Sequence, residues 1–168
     1  FIVRASNDLA VTGVVSPVRY TSTTYPMFGT IGINLQASIN NQGLNRIDSF
    51  WVQAKVFDVD FDINTGQVLS KTLVEQKPPH LINLAVPLNT GESYNLTENH
   101  LGTFLPSEAG YYALEVNAWY ADTNIVDQDL TNNTYPPVME PAYVFRAAEA
   151  LDPEVVSIKH PALNEKFS

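Results

Sequence analysis

The sequence contains no cysteine and few basic residues, with nine lysine and arginine residues against eighteen aspartate and glutamate residues. Without cysteine, the chain cannot form disulfide bonds or zinc–thiolate centres, and it cannot use a thiol nucleophile. The basic residues stand singly and the net charge is −9, whereas nucleic acid binding needs clustered lysine and arginine. No apolar run approaches the roughly 20 residues that cross a bilayer. We therefore expect neither a nucleic acid partner nor a membrane span.

Apolar and polar residues alternate with a period of two along most of the chain, which is the pattern of half-buried β-strands. This alternation predicts strands over residues 31–39, 49–61, 67–75, 81–88 and 111–121, with turn-forming residues between them. No window of the sequence shows a sustained helical period with capping residues. We therefore predict an all-β fold, an antiparallel immunoglobulin-like β-sandwich of about seven or more strands.

The inward-facing positions of these strands give a predicted core. On the strand over residues 49–61, Phe50 and Val52 share one face, whereas Trp51 and Gln53 share the other. Because one face of each sandwich strand is buried, the apolar face is expected inside. The predicted core residues are Ile33, Leu35, Ala37, Phe50, Val52, Val56, Tyr112, Leu114 and Val116.

The segment from Glu108 to Leu114 has the spacing of the tyrosine corner of immunoglobulin-like domains. In that motif, a tyrosine near the start of a strand packs its ring inward while its hydroxyl bonds to nearby backbone. Tyr112 is the tyrosine of the pattern. An ordinary aromatic strand after a glycine turn has the same residues, so the hydrogen bond of the hydroxyl decides between the two interpretations.

The two ends of the chain resemble each other. Residues 8–17 and 152–161 share the pattern D-x-x-V-x-small-[VI]-x-x-P, and residues 1–5 resemble residues 143–147 in the same order. Self-similarity at a spacing of about 143 residues is the signature of a tandem array of domains. The expected partners are therefore neighbouring copies of the same unit, in a continuous chain or through strand exchange between subunits.

This array interpretation divides the chain into three parts. Residues 1–7 are predicted to be the last strand and linker of a preceding repeat. Residues 8–147 are predicted to form one sandwich, and residues 148–168 a linker and the first strand of a following repeat.

Several turn motifs resemble those of a known family. In order along the chain they are Asp8-Leu9-Ala10-Val11, Asn41-Gln42-Gly43, Gly91-Glu92-Ser93, Gly110-Tyr111-Tyr112, and an acidic loop from Asp122 that ends in Asn132-Asn133. Over roughly residues 8–135 they resemble the CARDB-type (cell adhesion related) immunoglobulin-like domains of large secreted surface proteins. The hairpin around residues 58–66 and the insertion at residues 78–88 depart from the family pattern. The resemblance implies a non-catalytic unit that lies outside a bacterial or archaeal cell, or on its surface.

Two acidic segments are candidate calcium sites, because calcium prefers carboxylate and amide oxygens. The first segment has an acidic residue at every second position, and an isoleucine stands where a calcium loop needs glycine for its sharp turn. The alternative for this segment is a solvated hairpin tip. The second segment lies in the loop after the tyrosine-rich strand, where turns capped by their own Asn and Asp side chains are the alternative. The candidate ligands are Asp58, Asp60, Asp62 and Asn64 in the first segment, and Asp122, Asp127 and Asp129 in the second.

An enzyme is not expected from this sequence. The three histidines are far apart in the chain and fall in no metal or triad spacing, and no serine lies in a G-x-S-x-G context. The favoured function is a non-catalytic structural repeat of a long extracellular adhesin or filament. The alternative is a module that binds a cell-surface glycan or protein and is appended to a secreted enzyme. An aromatic platform of Trp51, Trp119, Tyr111 and Phe57 on a sheet face would serve that alternative.

Overall fold

The computed structural model describes residues 3–21 and 32–148. The predicted first strand of a following repeat therefore lies outside the described residues, and the three-part division of the chain stays a prediction. In chain order, the elements are β1 (Leu9–Ser16), β2 (Ile33–Asn34), β3 (Gln36–Asn41), β4 (Ile47–Asp62), β5 (Gln67–Gln76), β6 (His80–Leu88), β7 (Ser93–Leu96), α1 (Glu98–Leu101), β8 (Thr103–Phe104), β9 (Gly110–Tyr120), β10 (Thr134–Tyr135) and β11 (Tyr143–Ala147).

The strands form two main antiparallel sheets. One sheet has three strands in the order β1-β3-β7, and the other has six strands built around β4 and β9. A small pairing of β2 with β8 lies beside them. The predicted antiparallel β-sandwich is therefore confirmed.

The long strand β4 organises the six-stranded sheet. One edge of β4 pairs with β9 over its middle, and the other edge pairs with β6 near its start and with β5 near its end. β5 ends before Pro78 and Pro79, and β6 begins after them, because proline has no N–H group to continue the ladder. In the same way, β10 and β11 follow one another along the free edge of β9.

The single strand predicted over residues 31–39 is divided in the structure. Ile33 and Asn34 pair with β8, whereas the strand from Gln36 onward pairs with β1 and β7. The amide of Leu35, between the two pieces, donates to the carbonyl of Gly102 at 3.1 Å. The change of partner interrupts the ladder although the apolar alternation continues through it.

The core lies between the two main sheets. The predicted alternation on β4 is confirmed, since Phe50, Val52, Ala54 and Val56 are fully buried. All nine predicted core residues are buried, with 6% or less of their surface exposed. Burying one face of each strand is what the period-two pattern encodes.

Two local features complete the fold. The Tyr112 hydroxyl donates to the Glu108 carbonyl at 2.9 Å, so the predicted tyrosine corner is confirmed. The short helix α1 was not predicted, and it is held by a capping box in which the Thr97 side chain accepts from the Asn99 amide and the His100 ring accepts from the Thr97 amide. No helix among the described residues is long and apolar enough to cross a membrane.

The described chain enters and leaves the sandwich at opposite ends. β1 begins at Leu9, beside the loop that follows the end of β9 at Tyr120. β11 runs antiparallel to β9 and ends at Ala147, opposite Gly110 at the start of β9. We call the end with Leu9 and Tyr120 the N-terminal pole, and the end with Ala147 and Gly110 the C-terminal pole.

Candidate functional site

The N-terminal pole carries a network of hydrogen bonds that we call the N-terminal clamp. In the clamp, the incoming residues 5–9 are held between the acidic loop at residues 121–133 and the turn at residues 41–45. The bonds to the acidic loop join residues more than a hundred positions apart in sequence. The clamp therefore fixes the direction in which the chain enters the sandwich.

Asp127 is the central carboxylate of the clamp. It is buried, with 8% of its surface exposed. One carboxylate oxygen accepts from the Leu9 amide and from the Asn133 side chain, both at 3.0 Å. The other oxygen accepts from the Asp129 amide at 3.0 Å. A buried carboxylate with three donors holds the first residue of β1, its own loop and Asn133 together.

Gln128 also binds the incoming chain. Its side-chain oxygen accepts from the backbone amides of Ser6 and Asn7, and its backbone amide donates to the Asn7 carbonyl at 3.0 Å. The Asn7 side chain donates in turn to the Val126 carbonyl at 3.4 Å. Gln128 thus binds residues 6 and 7 through their backbone, and the Asn7 side chain adds a bond of its own.

The turn after β3 closes the clamp from the other side. Gly43 packs against backbone, because a Cβ at this position would lie 2.7 Å from the Asp8 nitrogen and 2.8 Å from the Ser6 carbonyl oxygen. The buried Asn41 side chain accepts from the Gly43 amide and donates to the carbonyls of Asn45 and Leu88. The Asn-x-Gly motif therefore allows close approach of two backbone segments.

Asp8 brings a second buried carboxylate into the same region, and its side chain accepts from Asn132 at 2.8 Å. Burial raises the pKa of Asp8, the hydrogen bond from Asn132 opposes that rise, and the negative charges of Asp127 and Asp129 add to it. Burial, followed by the charge of Asp127, raises the pKa of Tyr120 to about 12. The N-terminal pole is thus an electronegative and poorly solvated site.

The three predicted ligands of the second segment have different roles. Only Asp127 belongs to the clamp. Asp122 caps its own turn through the amide and side chain of Asn124, both at 2.8 Å, and the bond from the Asn124 amide lowers its pKa. Asp129 accepts from the side chain and amide of Thr131, and these bonds lower its pKa as well. Asp122 and Asp129 follow the Asx-turn alternative.

The first segment lies at the opposite pole. Asp58 and Asp60 are exposed on β4, and Asp62 caps the hairpin by accepting from the Asn64 amide at 2.9 Å and the Thr65 hydroxyl at 2.8 Å. The bond from the Asn64 amide lowers the pKa of Asp62. The two segments are therefore not brought together. Within residues 3–21 and 32–148, no three His, Cys, Asp or Glu side chains are grouped so as to hold a metal, and calcium binding stays a prediction.

Sequence reasoning missed three residues of the N-terminal pole as candidate site residues: Asp8, Tyr120 and Gln128. Asp8 stands in the D-L-x-V motif, so it carried a signal, but its partners come from the far end of the domain. The sequence analysis also gave no sign that His80 and His100 are neighbours in the fold, with ring centroids 5.5 Å apart. Their separation in the chain gave no indication of this contact.

Comparison with known proteins gives matches among solved structures only. No family model matches the sequence, and no curated protein does. A CARDB domain of a Pyrococcus furiosus protein, in complex with di-metal ions, is 13% identical, covers 88% of this chain and 99% of its own, and gives a TM-score of 0.48. A domain of a Methanosarcina acetivorans protein described as a cell surface protein is 22% identical, covers 85% and 93%, and gives a TM-score of 0.44. The chain is similar to CARDB domains.

A third likeness is to a Listeria innocua beta-glucosidase, at 16% identity and a TM-score of 0.35. It covers 85% of this chain but only 16% of the enzyme.

The CARDB-like motifs quoted from the sequence have identifiable places in the structure. Asp8, Asn41–Gly43, Gly91 and Asn132–Asn133 all lie at the N-terminal pole, where Gly91 adopts a positive φ of 84° and its amide donates to the Asn41 carbonyl at 2.6 Å. The motif around Tyr112 lies towards the other pole. The CARDB-like pattern therefore describes the hydrogen-bonded turns of a scaffold.

Proposed function

We propose that the chain is a non-catalytic structural repeat of a long extracellular adhesin or filament, on or outside a bacterial or archaeal cell. The observation that carries the proposal is that the described chain enters at one pole and leaves at the other. Units joined in this way add their lengths, since each one continues where the previous one ends. The resemblance between the two ends of the sequence supports the same arrangement.

The N-terminal clamp supports stiffness at the joint. Backbone groups of Ser6, Asn7 and Leu9 are each bound by the acidic loop, so a preceding unit would be held by a segment with little freedom of rotation. A flexible linker would leave the backbone of these residues solvated. The proposed role is therefore reach, stiffness and display.

A two-unit chain tests the proposal. Residues 1–161 followed by residues 18–168 would join two copies, because residues 152–161 correspond to residues 8–17. The 16 residues of β4 span roughly 50 Å at 3.3 Å per residue, so two units in line should extend to roughly 100 Å. We expect small-angle X-ray scattering to give that maximum dimension with little spread.

The matched control carries Gln128→Ala in the second unit only. This change removes the acceptor for Ser6 and Asn7 without touching the core, and it should broaden the distribution of dimensions. A compact, folded-back pair, or a pair as flexible as one joined by a glycine–serine linker, would contradict the structural repeat.

A glycan-binding module remains the second candidate, because Trp51 and Trp119 lie opposite each other on the outer face of adjacent strands. Trp119 is 37% exposed. The other two predicted platform residues are covered, since Lys71 lies over the Phe57 ring at 4.3 Å and Tyr111 packs on Phe61 at 5.1 Å. Aromatic pairs of this kind can stack on sugar rings.

Pull-down with insoluble cellulose, chitin and peptidoglycan tests this second candidate. Binding that is lost in Trp119→Ala would favour the module, whereas no binding to any of the three would reject it for these glycans. The two-unit scattering experiment is independent of that outcome.

A further inference from the structure

Two buried side-chain oxygens at the N-terminal pole, those of Asn132 and Asn133, have no hydrogen-bond partner among the described residues. The Tyr120 hydroxyl is buried in the same region, where the backbone of Asp8 is its neighbour. Tyr120 and Asn133 are 8% and 9% exposed. A buried polar atom without a partner loses its hydration without compensation, so two such oxygens in one place call for an explanation.

The orientation of the two amides is fixed by their nitrogen ends. The Asn132 nitrogen donates to Asp8 at 2.8 Å, and the Asn133 nitrogen donates to Asp127 at 3.0 Å and to the Ala118 carbonyl at 3.2 Å. Flipping either amide would point its oxygen at a carboxylate. The free ends are therefore oxygens, and both amides sit directly against the two buried carboxylates.

Among the described residues, the two carboxylates have no basic counterion. None of the ion pairs between residues within 3–21 and 32–148 includes Asp8 or Asp127. The amide of Leu9, the residue after Asp8, donates to Asp127 at 3.0 Å, and the charge of Asp127 acts on both Asp8 and Tyr120, so these groups share one small region. Two neighbouring buried anions are costly unless a positive charge lies with them.

The free groups are all oxygens, and this selects the kind of ligand. A hard cation such as Ca²⁺ takes six to eight oxygens from carboxylates, amide carbonyls and water. The carboxylates, the two amide oxygens and the phenol oxygen offer most of such a set. A buried water would satisfy the uncharged atoms, but it would leave the two anions uncompensated.

We propose that the N-terminal pole binds a calcium ion between the carboxylates of Asp8 and Asp127, with the side-chain oxygens of Asn132 and Asn133 as further ligands and the Tyr120 hydroxyl beside them. The ion would join the first residues of β1 to the end of the acidic loop. The site belongs to a single unit, so it does not depend on the array proposed above.

The first test is thermal unfolding of the full chain after treatment with EDTA, followed by titration with Ca²⁺ and, in parallel arms, Mg²⁺ and Na⁺. We expect the Tm to fall in EDTA and to rise with the logarithm of the Ca²⁺ concentration. Mg²⁺ should be less effective, because it demands a smaller octahedral site. A Tm that none of the three ions moves would overturn the proposal and leave a buried water as the occupant.

Variants then locate the ion. Asp8→Asn keeps the acceptor for Asn132 but removes a charged ligand, and it should weaken Ca²⁺ binding at least about tenfold. Asp48→Asn is the matched control, since it makes the same charge change on an exposed residue nearby that pairs with Arg46. It should leave binding unchanged. Equal losses in both variants would mean a diffuse effect of charge and would overturn the site.

A spectroscopic readout covers the case in which Asp8→Asn fails to fold. Tb³⁺ binds to calcium sites, and its luminescence is sensitised by a tyrosine next to the ion. We expect sensitised emission that Ca²⁺ displaces and that Tyr120→Phe reduces while the fold is retained. Emission that disappears in Asp62→Asn instead would place the ion at the C-terminal pole and contradict the assignment.

Discussion

The two poles of the sandwich use the same residue types in opposite ways. At the C-terminal pole, the Asp62 side chain bonds to Asn64 and Thr65, two and three positions away, and to no other described residue. At the N-terminal pole, Asp127 bonds to Leu9 across 118 positions and to Asn133 within its own loop. A hairpin tip can change without loosening the domain, whereas the N-terminal clamp couples the chain's entrance to the end of β9.

The difference lies in burial and not in composition. Asp62 is solvated, and its hydrogen bonds replace bonds to water that were equally available. Asp127 is buried, so each donor it loses would be left without water. An Asp/Asn-rich segment can therefore be a solvated turn or a structural joint, and its distant partners decide which.

The largest expected effect follows from replacing Asp127 by alanine. Three donors, including the Leu9 amide, lose their acceptor, so we expect a loss of about 2–4 kcal/mol in the free energy of unfolding. Urea unfolding in the presence of EDTA measures this loss of unfolding free energy without a contribution from bound cations. Asp62→Ala is the counterpart at the other pole and should cost much less. Equal losses would abolish the distinction between the poles.

A smaller effect is expected from Gly43→Ala. Its Cβ would meet the backbone of Asp8 and Ser6 at under 3 Å, and overpacking of this kind costs about 1–3 kcal/mol. Gly13→Ala is the control, because nothing lies within 4 Å of a Cβ there. Differential scanning calorimetry of both variants makes the comparison, and a Gly43 variant as stable as the Gly13 variant would show that the turn can move away from the incoming chain.

The tyrosine corner gives a test at the other pole. Tyr112→Phe removes the hydroxyl that donates to Glu108 but keeps the buried ring, so we expect a loss of about 1 kcal/mol. Chemical denaturation is sufficient to detect it. If the loss exceeded that of Asp127→Ala, the C-terminal pole would be the more strongly fixed of the two.

The smallest expected effect on stability concerns the cap of α1. Like the Asp62 turn at the C-terminal pole, this cap bonds only to nearby residues, but its His100 ring is half-buried. Burial, followed by the charge of His80, lowers the pKa of His100, and Glu98 opposes this shift. The folded state therefore favours the neutral ring, whose nitrogen accepts from the Thr97 amide. Its contribution is complete above the unfolded pKa of about 6.5 and is lost as the pH falls below that value.

Melting temperatures of the wild type and His100→Gln across this pH range measure the contribution. Glutamine keeps the capping box and does not titrate, so the two curves should agree above neutral pH and separate below it. Parallel curves over the whole range would show that protonation of His100 is not coupled to the cap.

The strands could be predicted because a sandwich buries one face of each strand, and Phe50, Val52 and Val56 record that directly in the sequence. The division of the predicted strand at Leu35 could not be predicted, since it arises from a change of partner strand while the apolar pattern continues. Helix α1 was missed because its capping box uses histidine where glutamate or glutamine is usual.

The candidate site was predicted only in part, through Asp127. Its partner Leu9 and the second carboxylate of Asp8 meet it through the folded topology, for which no spacing rule exists, whereas Asn133 belongs to the same loop. The orphaned oxygen of Asn133 is likewise a property of packing. Sequence patterns indicate which residues can form a site, and only the fold decides which of them meet.

The opposite placement of the two poles has a mechanical consequence. A force that pulls the ends of the domain apart acts along β1, whose partner is β3, and along β11, whose partner is β9. The hydrogen bonds of an antiparallel ladder lie perpendicular to the strands, so such a force shears all bonds of a ladder together instead of opening them one after another. Under tension the domain should therefore resist extension until a whole strand slips, and its lifetime under load is governed by the rate of that one event.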